Sequence, residues 1–352
     1  MDASIFAILV QDGITSGAVY ALLALGLVLV FSVTRVIFIP LGEFVSYSAL
    51  TLAAMQAGKF PAAALLLLGV GVIAFLQETF GLANSARRDA RRPSGRSFAM
   101  ALGKFIFFPL ALLAAAWSVD LQKAPMLLQM ALTLAIVTPL GPMLYRVAFQ
   151  PLAEASVLVL LIVSVGTHFA MLGIGLVLFG AEGSRTAPFS DARFALGALA
   201  ITGQSIAVLA TALMMIAALY FYFDRTLSGK ALRATAVNRL GAQLVGIGTA
   251  SAGRLAFTFA SALGGLCGVL IAPLTTIYYD SGFLIGLKGF VAAIIGGLAS
   301  YPLAAVGALL VGLLEAFSSF WASAFKEAIV FTLIIPVLLW RSIASPHVED
   351  EE

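Results

Sequence analysis

Charge is what this sequence has least of. Only 11% of its 352 residues are Asp, Glu, Lys or Arg, whereas 61% are hydrophobic. Soluble domains devote about a quarter of their residues to charge, so this chain cannot cover a water-facing surface, and lipid must be the solvent for most of it. A single cysteine, Cys267, inside an apolar run excludes a disulfide framework and a Cys-ligated metal site. The only two histidines, His168 and His347, are too far apart in sequence to suggest a His-based metal cluster. No G-x-x-x-x-G-K-[ST] occurs, so ATP is not held in that way, and H-E-x-x-H, G-x-S-x-G and paired-Asp motifs are missing too. The chain is therefore expected not to be an enzyme. Its net charge of +3 is no sign of a nucleic-acid partner, since basic excess in a membrane protein records orientation.

Apolar runs fill the space. About 20 apolar residues span a bilayer as a helix, and eleven candidate segments emerge: 6–33, 38–57, 60–78, 105–119, 126–145, 156–179, 204–223, 254–273, 286–299, 303–321 and 326–341. The second, fourth and ninth are short or broken by Gly and Pro. The expected fold is all-α, a polytopic transmembrane helix bundle of 10–11 membrane segments. The first segment has no basic flank, with Asp2 the only charge before Gln11, and reads as a retained span. With the N-terminus outside and the C-terminus inside, fourteen of the twenty Lys and Arg residues fall in inner loops, the positive-inside pattern.

The chain reads as one transmembrane domain, 1–345, ending in an acidic cytoplasmic tail, 346–352. Two inner loops stand out. The segment 79–104 carries Arg87, Arg88, Arg91, Arg92 and Arg96, which could meet anionic membrane lipid or a soluble partner. The loop 224–253 is thirty residues long. In it Leu232, Ala236, Leu240 and Leu244 recur near helical spacing until Gly246 and Gly248 stop the pattern, which predicts one amphipathic helix suited to a groove on a partner. The longest outer loop, 180–203, is polar. Small residues at four-residue steps, Gly13–Gly17, Ala260–Gly264–Gly268 and Gly282–Gly286, predict close helix packing.

A sparse polar set remains at membrane depth: Glu43, Ser46, Ser164, Thr167, His168, Lys288 and Glu315. A charge there costs at least about 2.5–3.5 kcal/mol, so such groups face protein or a water-filled cavity. Glu43 follows Pro40 and Gly42, and could either cap a new helix or line a pathway. His168, at the centre of its segment, is expected to bond a neighbouring helix as a neutral imidazole. Lys288 is expected to snorkel towards the outer interface, and Glu315 to bond across helices or end near water. The stretch G-F-L-I-G-L-K-G-F-V-A-A-I-I-G-G-L-A-S-Y-P, Gly282–Pro302, has five glycines and a proline in 21 residues. Such backbone is tolerated at depth only under protein cover or beside a cavity, which is where transporters place their pathways.

That stretch resembles the G-F-x-x-G-L-K-A-F-x-A-A-V-L-G-G-x-G-S-x-P signature of the LivH-type permeases of branched-chain amino acid ATP-binding-cassette transporters. Ser16–Phe31 with Arg35 and Gly42-Glu43-Phe44 resembles the family's first span and its sequel. Tyr145–Leu152, Gly229–Ile247 and Lys326–Ile329 also resemble family segments, and the likeness covers roughly 250 of the 352 residues. It implies a bacterial inner-membrane permease subunit importing branched-chain amino acids or a related small polar or carboxylate solute. The implied partners are a LivM-like second permease, LivG-like and LivF-like ATPases, and a periplasmic binding protein. No cofactor is implied for this chain, because ATP and Mg²⁺ would sit on the ATPases. Arg233, Ala236, Gly241, Leu244, Gly246 and Ile247 match the ATPase-coupling loop. Glu43, Ser164, Thr167, His168, Gly286, Lys288, Gly296, Gly297 and Glu315 are the candidate translocation pathway.

Departures from the pattern matter as well. Phe38 and Leu41 replace a polar Asn and His before Gly42-Glu43, and altered selectivity is expected there without loss of assembly. Residues 79–124 show no counterpart. The competing reading is a secondary transporter or channel working without an ATPase, which should show a clustered intramembrane charge site. A membrane-embedded enzyme lacks any catalytic constellation.

Overall fold

A computed structural model of the chain describes residues 2–89, 95–196 and 199–344. Long apolar runs become long helices because only a helix satisfies its own backbone in lipid. The helices are α1 (Ala3–Thr34), α2 (Leu41–Gln56), α3 (Ala63–Asp89), α4 (Gly95–Leu102), α5 (Phe108–Ser118), α6 (Met126–Val137), α7 (Leu140–Leu144), α8 (Val157–Phe179), α9 (Gly203–Arg225), α10 (Leu227–Val237), α11 (Arg239–Leu244), α12 (Thr249–Ile271), α13 (Ser281–Ile295), α14 (Tyr301–Trp321), α15 (Lys326–Thr332) and α16 (Ile334–Ala344). Among the described residues nine helical stretches are long and apolar enough to cross a membrane. The two short helices α2 and α13, of 16 and 15 residues, complete the eleven expected segments.

Several boundaries differ from expectation for local reasons. A π-turn at Gly103–Phe107 joins α4 to α5, so the fourth segment is a continuous 24-residue span and not a short one. Lys104, assigned to a loop, lies inside it. The basic segment 79–104 is helical up to Asp89 and again from Gly95; Arg91 and Arg92 fall outside the described residues. The polar loop 180–203 contains an antiparallel hairpin of β1 (Arg193–Leu196) and β2 (Leu199–Thr202), with Arg193 opposite Thr202. The last segment breaks at Leu333 and starts from a 3₁₀ turn at Ser323–Phe325.

Helices α1, α2, α12, α13 and α14 form the centre. By contrast α3–α5, α8 and α9 expose apolar side chains such as Leu76, Phe107, Leu158 and Leu213, as lipid-facing helices do. The small-residue steps are where the central helices meet. A Cβ on Gly312 of α14 would overlap the Gly13 carbonyl of α1, and one on Gly268 of α12 would overlap the Val45 carbonyl of α2. Gly282 and Gly286 of α13 face Gly42 of α2 in the same way. With no hydrophobic drive between helices in lipid, this backbone-to-backbone packing holds the bundle together.

Candidate functional site

Two buried polar clusters and one exposed surface hold every sequence-predicted site residue except Gly296 and Gly297. The first cluster surrounds the break between α1 and α2. Arg35 caps α1 in left-handed conformation, and residues 36–39 run on without helical hydrogen bonds. Their backbone groups are satisfied from α8: Ile39 N donates to Ser164 Oγ at 3.0 Å, and Ser164 Oγ donates to Ile37 O at 2.6 Å. One serine thus supports both groups, which also bond each other, Ile39 N donating to Ile37 O at 3.0 Å. Ser164→Ala should cost about 0.5–1.5 kcal/mol, because it removes both serine bonds while that backbone bond remains, read as a lowered midpoint of thermal unfolding for the purified chain.

Pro40 then starts α2 and puts Glu43 in its first turn, where free N–H groups favour a carboxylate. Among the described residues, however, no backbone N–H of that turn donates to the Glu43 carboxylate. The Glu43 side chain is wholly buried and its Oε1 lies 2.9 Å from His168 Nδ1 of α8, while Oε2 has no hydrogen-bond partner among the described residues. Phe283 of α13 stacks on the imidazole at 4.6 Å. His168 therefore bonds a neighbouring helix as expected, with Glu43 as its partner. Ser46 Oγ accepts from Gly282 N at 2.6 Å, and Thr167 donates to Val163 O of its own helix. Phe38 packs among Phe44, Phe149 and Phe257 in the aromatic core. With Leu41, Gly286 and Phe283 it also walls an apolar cavity of about 190 Å³.

The second cluster is built on Lys288 of α13, which does not snorkel. Lys288 is 5% exposed, and its Nζ donates to Glu315 Oε1 of α14 at 2.5 Å and to Glu327 Oε1 of α15 at 3.1 Å. Tyr20 of α1 donates its hydroxyl to Glu315 Oε2. A lysine this deep pays a desolvation cost that its two carboxylates offset. The cluster walls a cavity of about 540 Å³ that also touches Asp12, Thr15 and Ser281. Glu315 thus bonds across helices. Tyr20 and Glu327 escaped the sequence reading, one hidden in an apolar span and the other at a segment start. The signal for Glu327 was a Lys-Glu pair beside a broken segment. Gly296 and Gly297 lie elsewhere, in the turn from α13 to α14, where Gly297 has φ +66°.

The third feature is the surface of α10 and α11. The expected single helix breaks at Asn238, whose side chain accepts from Gly241 N at 2.8 Å and caps α11. The predicted stripe consequently splits. Leu232 and Ala236 face the bundle, while Leu240 and Leu244 point away, with Val237 and Val245 exposed beside them. Gly246, at φ +85°, ends α11, and Ile247 N donates to Ala242 O. Arg233 reaches Asp224 at 3.6 Å, and Arg239 donates to Ala153 O at 2.8 Å, tying α11 to the turn that precedes α8.

A glycine-packed helix bundle with broken segments, a polar cavity and an apolar terminal surface fits a transport component. Residues 95–338 match the family described as the branched-chain amino acid transport system permease component. The chain belongs to that family. It is similar to the high-affinity branched-chain amino acid transport system permease protein BraD of Pseudomonas aeruginosa, with 28% identity over 258 residues, covering 70% of this chain and 84% of the relative. Similarity to LivH of Escherichia coli is 29% over 214 residues, covering 58% and 69%. The probable LivH of Methanocaldococcus jannaschii is 28% identical over 200 residues, covering 54% and 64%. No solved structure matches. The family match takes in 95–124, which had shown no counterpart in sequence. As a family member the permease is a multi-pass membrane transport component and not an enzyme.

Proposed function

We propose that this chain is the membrane-spanning subunit of an ATP-binding-cassette importer in the bacterial inner membrane. Its solutes are branched-chain amino acids or related small polar or carboxylate compounds delivered by a periplasmic binding protein. A LivM-like permease pairs with it, and LivG-like and LivF-like subunits bind ATP and Mg²⁺, so the chain itself carries no cofactor. The N-terminus faces outward, which turns the α10–α11 surface to the cytoplasm and opens the Lys288 cavity towards the periplasm.

The observation that carries this reading is the exposed apolar edge of α10 and α11. Leu240, Leu244 and Val245 are 67%, 81% and 76% exposed, on short helices flanked by Arg225, Arg233, Arg239 and Arg254. So many charges keep this segment out of the hydrocarbon, and an apolar patch in water marks a protein contact. Arg233, Ala236, Gly241, Leu244, Gly246 and Ile247 shape that coupling surface, through which nucleotide-driven closure reaches the bundle. Along the pathway, Glu43, Ser164, Thr167 and His168 flank the break, Gly286 gives α13 its close approach, and Lys288 and Glu315 wall the cavity.

Copurification tests the assignment. Leu244→Glu should cut recovery of the ATPase subunits at least tenfold while leaving the unfolding midpoint of the permease unchanged, since the side chain touches little of its own chain. Full association by that variant, or solute flux by the reconstituted chain alone, would defeat the proposal in favour of an ATPase-independent carrier.

A further inference from the structure

The Lys288 cluster is unevenly bound. Its bond to Glu315 is short, and Glu315 is itself held by Tyr20; Glu315 has 17% of its side chain exposed. Its bond to Glu327 is longer, Glu327 is 34% exposed, and Glu327 Oε2 has no hydrogen-bond partner among the described residues. Glu327 sits on α15, only 7 residues long, beside Lys326 at 3.9 Å. An ammonium has three donors, and Lys288 uses two of them here. The lysine therefore has one fixed carboxylate partner and one that is poorly held at the wall of the cavity.

We propose that Glu327 is an exchangeable partner and sets which solutes the cavity accepts. This rests on the transport reading above and assigns a role within it. The carboxylate of an arriving solute takes the place of Glu327 on Lys288, and the released Glu327 accepts the ammonium of the same solute. Charge is the selecting quantity. The cavity lining sets Lys288 and Lys326 against Asp12, Glu315 and Glu327, one carboxylate in excess. A zwitterion therefore enters without changing the sum, and a bare carboxylate adds to the excess. A carboxylate without an ammonium leaves one negative charge unpaired in a poorly solvated wall, and a dicarboxylate fares worse. Tyr20 and Glu315 are positioning residues that hold Lys288 while its second partner changes.

The test uses the purified full-length chain and two probes with one carbon skeleton, leucine and 4-methylpentanoate, which lacks the ammonium. Thermal unfolding of the wild type should shift upward with millimolar leucine and not with 4-methylpentanoate. In Glu327→Gln the order should reverse, with at least a fivefold preference for 4-methylpentanoate, because neutralising one carboxylate makes room for another. Glu327→Ala serves the same purpose if the glutamine variant does not survive purification. Lys288→Met should respond to neither probe, and Lys288→Arg should keep the leucine response. A Glu327 variant that retains the wild-type order overturns the proposal, because a merely structural carboxylate would not invert a preference. A wild type that ignores both probes overturns it as well, and leaves the ATPase copurification to stand or fall separately.

Discussion

Gly42→Ala should lower the unfolding midpoint of the purified permease by about 4 °C, the effect of roughly 3 kcal/mol in a chain of this size. Overpacking a filled core costs about 1–3 kcal/mol when side chains can shift. Here the obstacle is backbone. The added Cβ would overlap the Gly282 carbonyl oxygen and come within 3.3 Å of Gly286 Cα, so α13 as a whole must move away from α2. That displacement pulls Gly282 N from Ser46 Oγ and lifts Phe283 off the His168 ring. Gly69→Ala on α3 supplies the control, because nothing lies within 4 Å of its Cβ position. It should be neutral or stabilising by up to about 1 kcal/mol through helix propensity. Equal midpoints for the two variants would mean that α2 and α13 are not in backbone contact.

His168→Leu is the second large effect. It leaves the wholly buried Glu43 carboxylate with neither oxygen partnered, and breaking a buried pair on one side costs about 3–5 kcal/mol. The double variant Glu43→Gln/His168→Leu removes the charge as well and should recover most of that loss. Thermal unfolding of the two singles and the double closes the cycle. Additive losses, with no recovery in the double, would show that the 2.9 Å pair contributes no coupling.

Much of this bundle was legible from composition and spacing, because lipid rewards the same property everywhere. Runs long enough to cross gave the segments, and Pro40 with Gly42 announced the break before α2. Steps such as Gly13–Gly17 announced close approach, but not that Gly312 would fill it, since spacing fixes a face and not its partner. The polar partners were hidden for the same reason. Glu43 and His168 are 125 residues apart, and nothing in either segment names the other. For Lys288 the sequence suggests snorkelling, because a long flexible stem near a segment end can reach water; two carboxylates from later helices hold it inside instead. In the coupling loop the apolar spacing was sound, yet Asn238 prefers to cap, and that local hydrogen bond turned half of the stripe outward.

The bond from Tyr20 to Glu315 joins residues 295 positions apart, and the same two helices interlock through Gly13, Gly17 and Gly312. Synthesis proceeds from the N-terminus at about 5–20 residues per second. The first helix is therefore in the bilayer for a quarter of a minute or more before its main neighbour exists. Through that interval its glycine face has no permanent companion, and any passing membrane helix with a similar face can occupy it. Protecting that glycine face until Gly312 arrives is therefore a demand that the order of synthesis places on the biogenesis of this permease.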